Sequence, residues 1–206
     1  MLDHLIITAP TREEGMDYVE ERLGLRPVIG GQHPQWGTHN ALLSLGGETY
    51  LEVVAPDPSL PAPPRGRWLQ ECYAFPPRLA TWVLRAEEID VLHASARKKG
   101  LLLGDIQAGS RTRPDGTQLS WRLTDPYAFP LQGALPFLIA WGDTPHPAHG
   151  LPHVGDLQKM QIIHPEPTRV RHYLDVLGVK LPVVEGLTCT LRATIHTLNG
   201  KEVTLQ

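Results

Sequence analysis

Residues 37–58, GTHNALLSLGGETYLEVVAPDP, read as two strands closed by a tight turn, and that hairpin organises the rest of the chain. Strand-forming residues fill 38–45 and 48–54, and Gly46-Gly47 between them supplies the positive-φ backbone that hairpin turns need. One residue is out of place. Glu52 stands among Leu, Val and Ala, where an unpartnered carboxylate is costly, so it calls for a cation, a donor or a wet cavity.

Working outward, residues 2–9 (LDHLIITA) form a strand that carries a second misplaced polar residue, His4. Thr11 can cap a following helix, with Glu13 and Glu14 in its first turn, Met16, Val19 and Leu23 on one face and Gly24 as terminator. A strand near 26–29 and a Gly-Gly-Gln-His-Pro loop lead into the hairpin. The order is strand, helix, strand, strand, strand, and it recurs: strand 80–86, helix 87–99 closed by Gly100, then strands at 101–106, 117–123 and 135–141. A third round has a strand at 157–163, a helix at 167–177 and a hairpin turning at Asn199-Gly200.

The expected class is α+β, with two full βαβββ modules and a truncated βαββ unit. The expected boundaries are 1–56 for the first module, 57–78 for a Pro-rich connector and 79–142 for the second module. A linker at 143–156 and the third unit at 157–206 complete one globular body.

A two-residue turn at Gly46-Gly47 would place Ala41 opposite Glu52 and put His39, Tyr50 and Glu52 on one face. His39 is then close enough to Glu52 to orient it or to join it at a cation. Asp3, next to His4 on a strand, is expected to face away.

Composition bounds the function. The 206 residues carry 19 Lys and Arg against 22 Asp and Glu, a net charge of −3, which argues against a nucleic-acid partner. No run reaches membrane-span length, and no basic, apolar leader precedes the first strand. Cys72 and Cys189 read as two reduced thiols, so a cytoplasmic, bacterial-type protein is the expectation.

The first strand, the stretch 37–58, SRTRPDGTQLSWRL (110–123) and PFLIAWGDTPHP (136–147) together resemble the vicinal oxygen chelate superfamily, and within it the glyoxalase-like domain family. The resemblance implies paired βαβββ modules whose mixed sheets curl around a cavity, and a metal ligand from the first and last strand of a module, positions that match His4 and Glu52. With His39 as a third ligand, a divalent Zn, Mn, Fe, Ni or Co ion is the cofactor implied. The second module departs from the pattern, with Thr81 where His4 stands and Phe137–Ile139 near the Glu52 position.

Two functions stay open. One is a metal-dependent lyase, isomerase or dioxygenase acting on a small oxygenated molecule, with Glu52 as ligand or as a base of raised pKa. The other is a metal-free protein that binds or sequesters a small molecule, as antibiotic-resistance relatives do, with Tyr50, Trp82, Trp121 and Trp141 as walls. Arg113 and Trp121, beside Arg111 and Asp115, are the further candidates for binding a substrate. His146, His149 and His153 fall in a Pro- and Gly-rich loop and are read as linker. A homodimer is compatible with paired modules.

Overall fold

The computed structural model describes residues 1–112 and 116–206. The first module comprises β1 (Leu2–Thr8), α1 (Arg12–Leu23), β2 (Val28–His33), β3 (Thr38–Ser44) and β4 (Tyr50–Pro56). The second comprises β5 (Arg78–Arg85), α2 (Ile89–Lys98), β6 (Ile106–Thr112), β7 (Gln118–Thr124) and β8 (Phe137–Ala140). All eight strands form one sheet in the order β2-β3-β4-β1-β5-β8-β7-β6. Each half repeats the other about the antiparallel β1–β5 contact. In the parallel ladder of each half, Ile6 pairs with Glu52 as Val83 pairs with Phe137. The sheet curls until its edges β2 and β6 come close, and among the described residues no ladder pairs them.

Local chemistry fixes the outer layer. The Thr11 hydroxyl accepts from the Glu14 amide and starts α1, and Gly24, at φ 81°, lets its own N–H close the last turn on the Glu20 carbonyl. Helix α1 lies close over β4: a Cβ at Gly15 would sit 2.4 Å from Val53 Cγ1, so only glycine allows this approach. Leu5, Ile7, Ala41, Leu43, Leu51 and Val53 bury against the helix side. Residues of the other parity, Ile6, Val54 and Val83, join Trp36, Trp68, Trp121 and Phe137 inside the cup.

The third unit holds β9 (Gly155–His164), α3 (Pro167–Val176), β11 (Thr190–Thr197) and β12 (Glu202–Leu205), with a short added strand β10 (Val183–Glu185). Its strands form their own sheet, β10-β9-β11-β12, in which β10 runs parallel to β9. Met160, Ile162, Leu174, Leu191 and Ile195 pack into the same core as the helix side of the large sheet. Its start is pinned by the Ser44 amide on Pro152 O and the Leu157 amide on Leu45 O. Among the described residues no helix is long and apolar enough to cross a membrane.

Two strands lie away from their expected positions. β2 runs on through Gly30-Gly31 to His33, where the glycines suggested a loop. β6 begins at Ile106 rather than ending there, because Leu101 and Leu103 are buried as irregular chain, and IQAGSRT has little apolar alternation to reveal it.

Candidate functional site

The site is set by how β3 and β4 are joined. The Leu45 amide donates to Thr49 O and the Thr49 amide to Gly46 O, so the loop is three residues, Gly46 to Glu48. The register moves by one from the two-residue expectation: Leu42 faces Glu52, and Asn40 faces Val54. A slip of one residue exchanges the faces of a strand. His39 therefore points to the opposite side from Glu52, with its Nδ1 3.4 Å from Asp57 Oδ2, and does not join Glu52. Asn40 takes the inward place, and its Nδ2 donates to Glu52 Oε1 at 2.6 Å. Its Oδ1 accepts from the Gly31 amide at 2.8 Å.

A second irregularity brings in Asp3. Leu2 pairs with Leu84 and His4 with Val83, so Asp3 is an extra residue in β1, a bulge. The bulge breaks the alternation that would have turned Asp3 away. Its Oδ1 instead meets His4 Nδ1 at 2.6 Å. Its Oδ2 accepts from Arg85 Nε at 2.9 Å and from Trp141 Nε1 at 3.0 Å, with His146 Nε2 3.1 Å away. Arg85 also donates to Glu48 Oε2 at 2.6 Å. On the other side, His4 Nε2 lies 3.3 Å from Glu52 Oε2.

A hydrogen-bonded chain thus runs from Arg85 through Asp3, His4, Glu52 and Asn40. His33 Nε2 approaches Asn40 Nδ2 at 3.5 Å, and His33 Nδ1 meets the Thr38 hydroxyl at 3.1 Å. All but Arg85 are buried.

The electrostatics follow from this chain. Burial disfavours a charge on His4, but its bonds to Asp3 and Glu52 outweigh that and push its pKa up to about 9. Burial likewise opposes ionisation of Glu52, yet its bond to His4 and then the nearby charges and Asn40 hold it below the usual carboxylate value. This reverses the expectation of a raised value for Glu52: the partners, not the desolvation, decide. Asp3 is held far below its ordinary value against burial, by His146 and then His4. His33 goes the other way. Burial drives it down to about 4, with Glu52 opposing and Arg111 assisting, so it is neutral near pH 7.

Aromatic side chains wall the space above the pair. Tyr50 stacks on His4 with ring centroids 4.4 Å apart, and His146 packs edge-on against Tyr50. Trp121 lies 5.9 Å from Trp36 and 5.5 Å from Trp141, and Trp36 lies 5.4 Å from Trp68. Trp121 crosses directly over Gly109, where a Cβ would sit 2.4 Å from the indole nitrogen. The cavity left among His4, His33, Asn40, Glu52, Arg111 and these rings is about 30 Å³. That is room for one or two water-sized groups. Among the described residues, Trp68 Nε1 is buried with no hydrogen-bond partner.

Of the residues singled out from the sequence, His4, Glu52, Tyr50 and Trp121 meet at this cavity. Arg113 and Asp115 lie outside the described residues. Trp82 is not a wall: its indole donates to Ala134 O and packs in the helix-side core. Asp3, His33, Asn40 and His146 were not foreseen. His146 belongs to the segment read as linker, yet it is buried at the Asp3 end of the network. Its one sequence signal is a histidine in the HPAHGLPH stretch, which has no periodicity to orient it.

A divalent ion needs three or more protein ligands as well as a position for substrate. His4 and Glu52 converge, but His39 does not, and Asn40 occupies one Glu52 oxygen. The second module offers Thr81, whose hydroxyl donates to Gly133 O, and apolar Phe137. Among the described residues no three His, Cys, Asp or Glu side chains form a group that could hold a metal. The donor set does not fit a first-row divalent ion.

Two βαβββ modules sharing one curled sheet, with a polar pair inside the cup, define the vicinal oxygen chelate fold. The family model described as "Glyoxalase-like domain" matches residues 2–178, and the chain belongs to that family. A hypothetical protein from Staphylococcus aureus has a similar solved structure, with a TM-score of 0.68 at 12% identity over 98% of this chain and 97% of that one. Methylmalonyl-CoA epimerase from Mycobacterium tuberculosis aligns with a TM-score of 0.43 at 17% identity, over 70% of this chain and 88% of that one. No curated protein matches the sequence.

Proposed function

We propose that this protein binds a small organic molecule whose polar end enters the cup and seats on the His4–Glu52 pair, without a metal ion between them. The observation that carries this reading is an ionised pair, held at 3.3 Å and shielded from water, at an aromatic-walled cavity. A buried pair adds little to stability compared with apolar side chains of the same size, so its placement at a cavity speaks for recognition. Glu52 accepts a hydrogen bond, so the ligand group presents a hydroxyl or N–H to it. The unpartnered Trp68 indole N–H suits an acceptor on the same group, such as a carbonyl or hydroxyl oxygen. The small volume suits that group, with the rest of the molecule lying outside it.

A second reading, proton transfer to or from the bound molecule, is favoured by the Asp3–His4–Glu52 arrangement. Glu52 would take the proton, and the charge of His4 beside it would offset the negative charge that develops on the bound molecule. The test is calorimetric titration of metal-depleted protein against small α-hydroxy ketones and their deoxy analogues. Binding should need the hydroxyl, fall at least tenfold in Glu52→Gln and be unchanged by added Zn, Mn or Ni. Binding that appears only with added metal would overturn the proposal.

A further inference from the structure

Where the edges β2 and β6 meet, an open groove of about 800 Å³ lies outside the small cavity. Arg12, Gly30, Gly31, His39, Asp57 and Arg111 are among its walls, and Arg111 lines both groove and cavity. The cavity takes a small polar group, so the rest of any ligand seated there needs a neighbouring space, and this groove meets the cavity at the β2–β6 seam, where Arg111 lines both.

The groove has a definite chemistry. Arg12 arrives on the first turn of α1, and Arg111 arrives from β6 across the seam. The nearby carboxylate, Asp57, is already engaged: Oδ1 accepts from the Ser59 amide and hydroxyl, and Oδ2 from Gln32 Nε2, with His39 Nδ1 3.4 Å away. Glu13 reaches Arg12 only loosely, at 3.9 Å. The Arg12 guanidinium therefore stands beside a carboxylate that is already occupied. Among the described residues that line the groove, two buried polar atoms lack partners, Arg12 Nε and His39 Nε2. An arginine Nε is an obligate donor, and leaving it buried and unbonded is unfavourable unless something else accepts from it. Gly31, in the groove wall, is bonded through Asn40 to Glu52, so groove and pair are parts of one hydrogen-bonded frame.

We propose that the groove holds the anionic end, a carboxylate or a phosphate, of the molecule whose other end reaches His4 and Glu52. Arg12 is its principal anchor, with its fork on the anion's oxygens, and His39, backed by Asp57, lies beside it. This inference rests on the ligand reading of the cavity but fails separately from it.

The test uses benzoate and phenyl phosphate against the neutral benzyl alcohol, titrated into ¹⁵N-labelled protein and followed by amide shifts. The expected result is at least tenfold tighter binding of an anion than of the alcohol, with shifts at Arg12, Gly30 and Gly31. Arg12→Gln should remove that preference, and Arg12→Lys should retain part of it, which separates lost charge from lost folding. The benzoate and phenyl phosphate arms distinguish the two anion classes. Equal affinity for the three compounds, no anion binding at millimolar concentration, or a preference that survives Arg12→Gln would each overturn the inference. Anion shifts confined to the groove, with hydroxylated compounds bound as tightly by Glu52→Gln as by the parent protein, would uphold the groove and sink the cavity reading.

Discussion

Asp3 and His4 are neighbours on one strand, yet their side chains face each other, with Oδ1 and Nδ1 2.6 Å apart. The bulge in β1 makes this possible, and it gives His4 a carboxylate on each ring nitrogen. Asp3→Asn keeps the shape of the side chain and removes its charge. The His4 pKa should then fall from about 9 toward its ordinary 6.5, as read from its imidazole resonances in an NMR titration. An unmoved value would mean that Glu52 alone holds the proton.

Stability should peak near neutral pH. For His4 the folded value is about 9 and the ordinary one 6.5. Its contribution is therefore complete below pH 6.5 and is lost as pH rises through about 9. For His33 the folded value is about 4, so the unfolded chain takes up a proton that the native state refuses, and stability drops as pH falls from 6.5 to 4. Glu52 and Asp3, both depressed, add to the loss in acid. Urea unfolding at intervals from pH 4 to 10 would show the dome; a curve flat from 6.5 to 9 would contradict the His4 assignment.

Asn40 should matter more than its neighbour His39. Asn40→Ala strips a bond from Glu52 and another from the Gly31 amide, a loss of about 1–3 kcal/mol for leaving buried groups unsatisfied. In a chain of this size each kcal/mol lowers Tm by about 2–4 °C. His39→Ala removes only a 3.4 Å contact to Asp57 and should shift Tm by less than Asn40→Ala does. Calorimetric scans of both variants check the order.

The His4–Glu52 pair should be dispensable for folding when removed whole. Either single change to leucine strands a buried partner and should cost about 3–5 kcal/mol, while the double change should cost clearly less than the sum. Denaturant unfolding of the two single variants and the double variant measures this. Ligand binding should be lost in all three.

Much of the fold was legible because periodicity and turn residues carry it. LDHLIITA, the Thr11 cap, Gly24 and the Gly46-Gly47 turn each act through neighbours in sequence. His4 and Glu52 were legible as polar residues inside apolar strands. What was not legible depended on single-residue counts. One extra residue in the 46–48 loop exchanged His39 for Asn40, and one extra residue in β1 turned Asp3 inward. His146 comes from an aperiodic loop whose docking is decided by Asp3 and Arg85, far off in sequence. His33 was hidden because glycines in β2 look like a turn.

The meeting of β2 and β6 has a consequence for how the interior is reached. The sheet resembles a book bound along β1 and β5, whose covers meet at the fore-edge with no ladder between them among the described residues. Parting them breaks no backbone ladder, so the gap can widen while the spine stays intact. A molecule entering between the covers would pass Arg111, which lines groove and cavity alike, before it met Glu52.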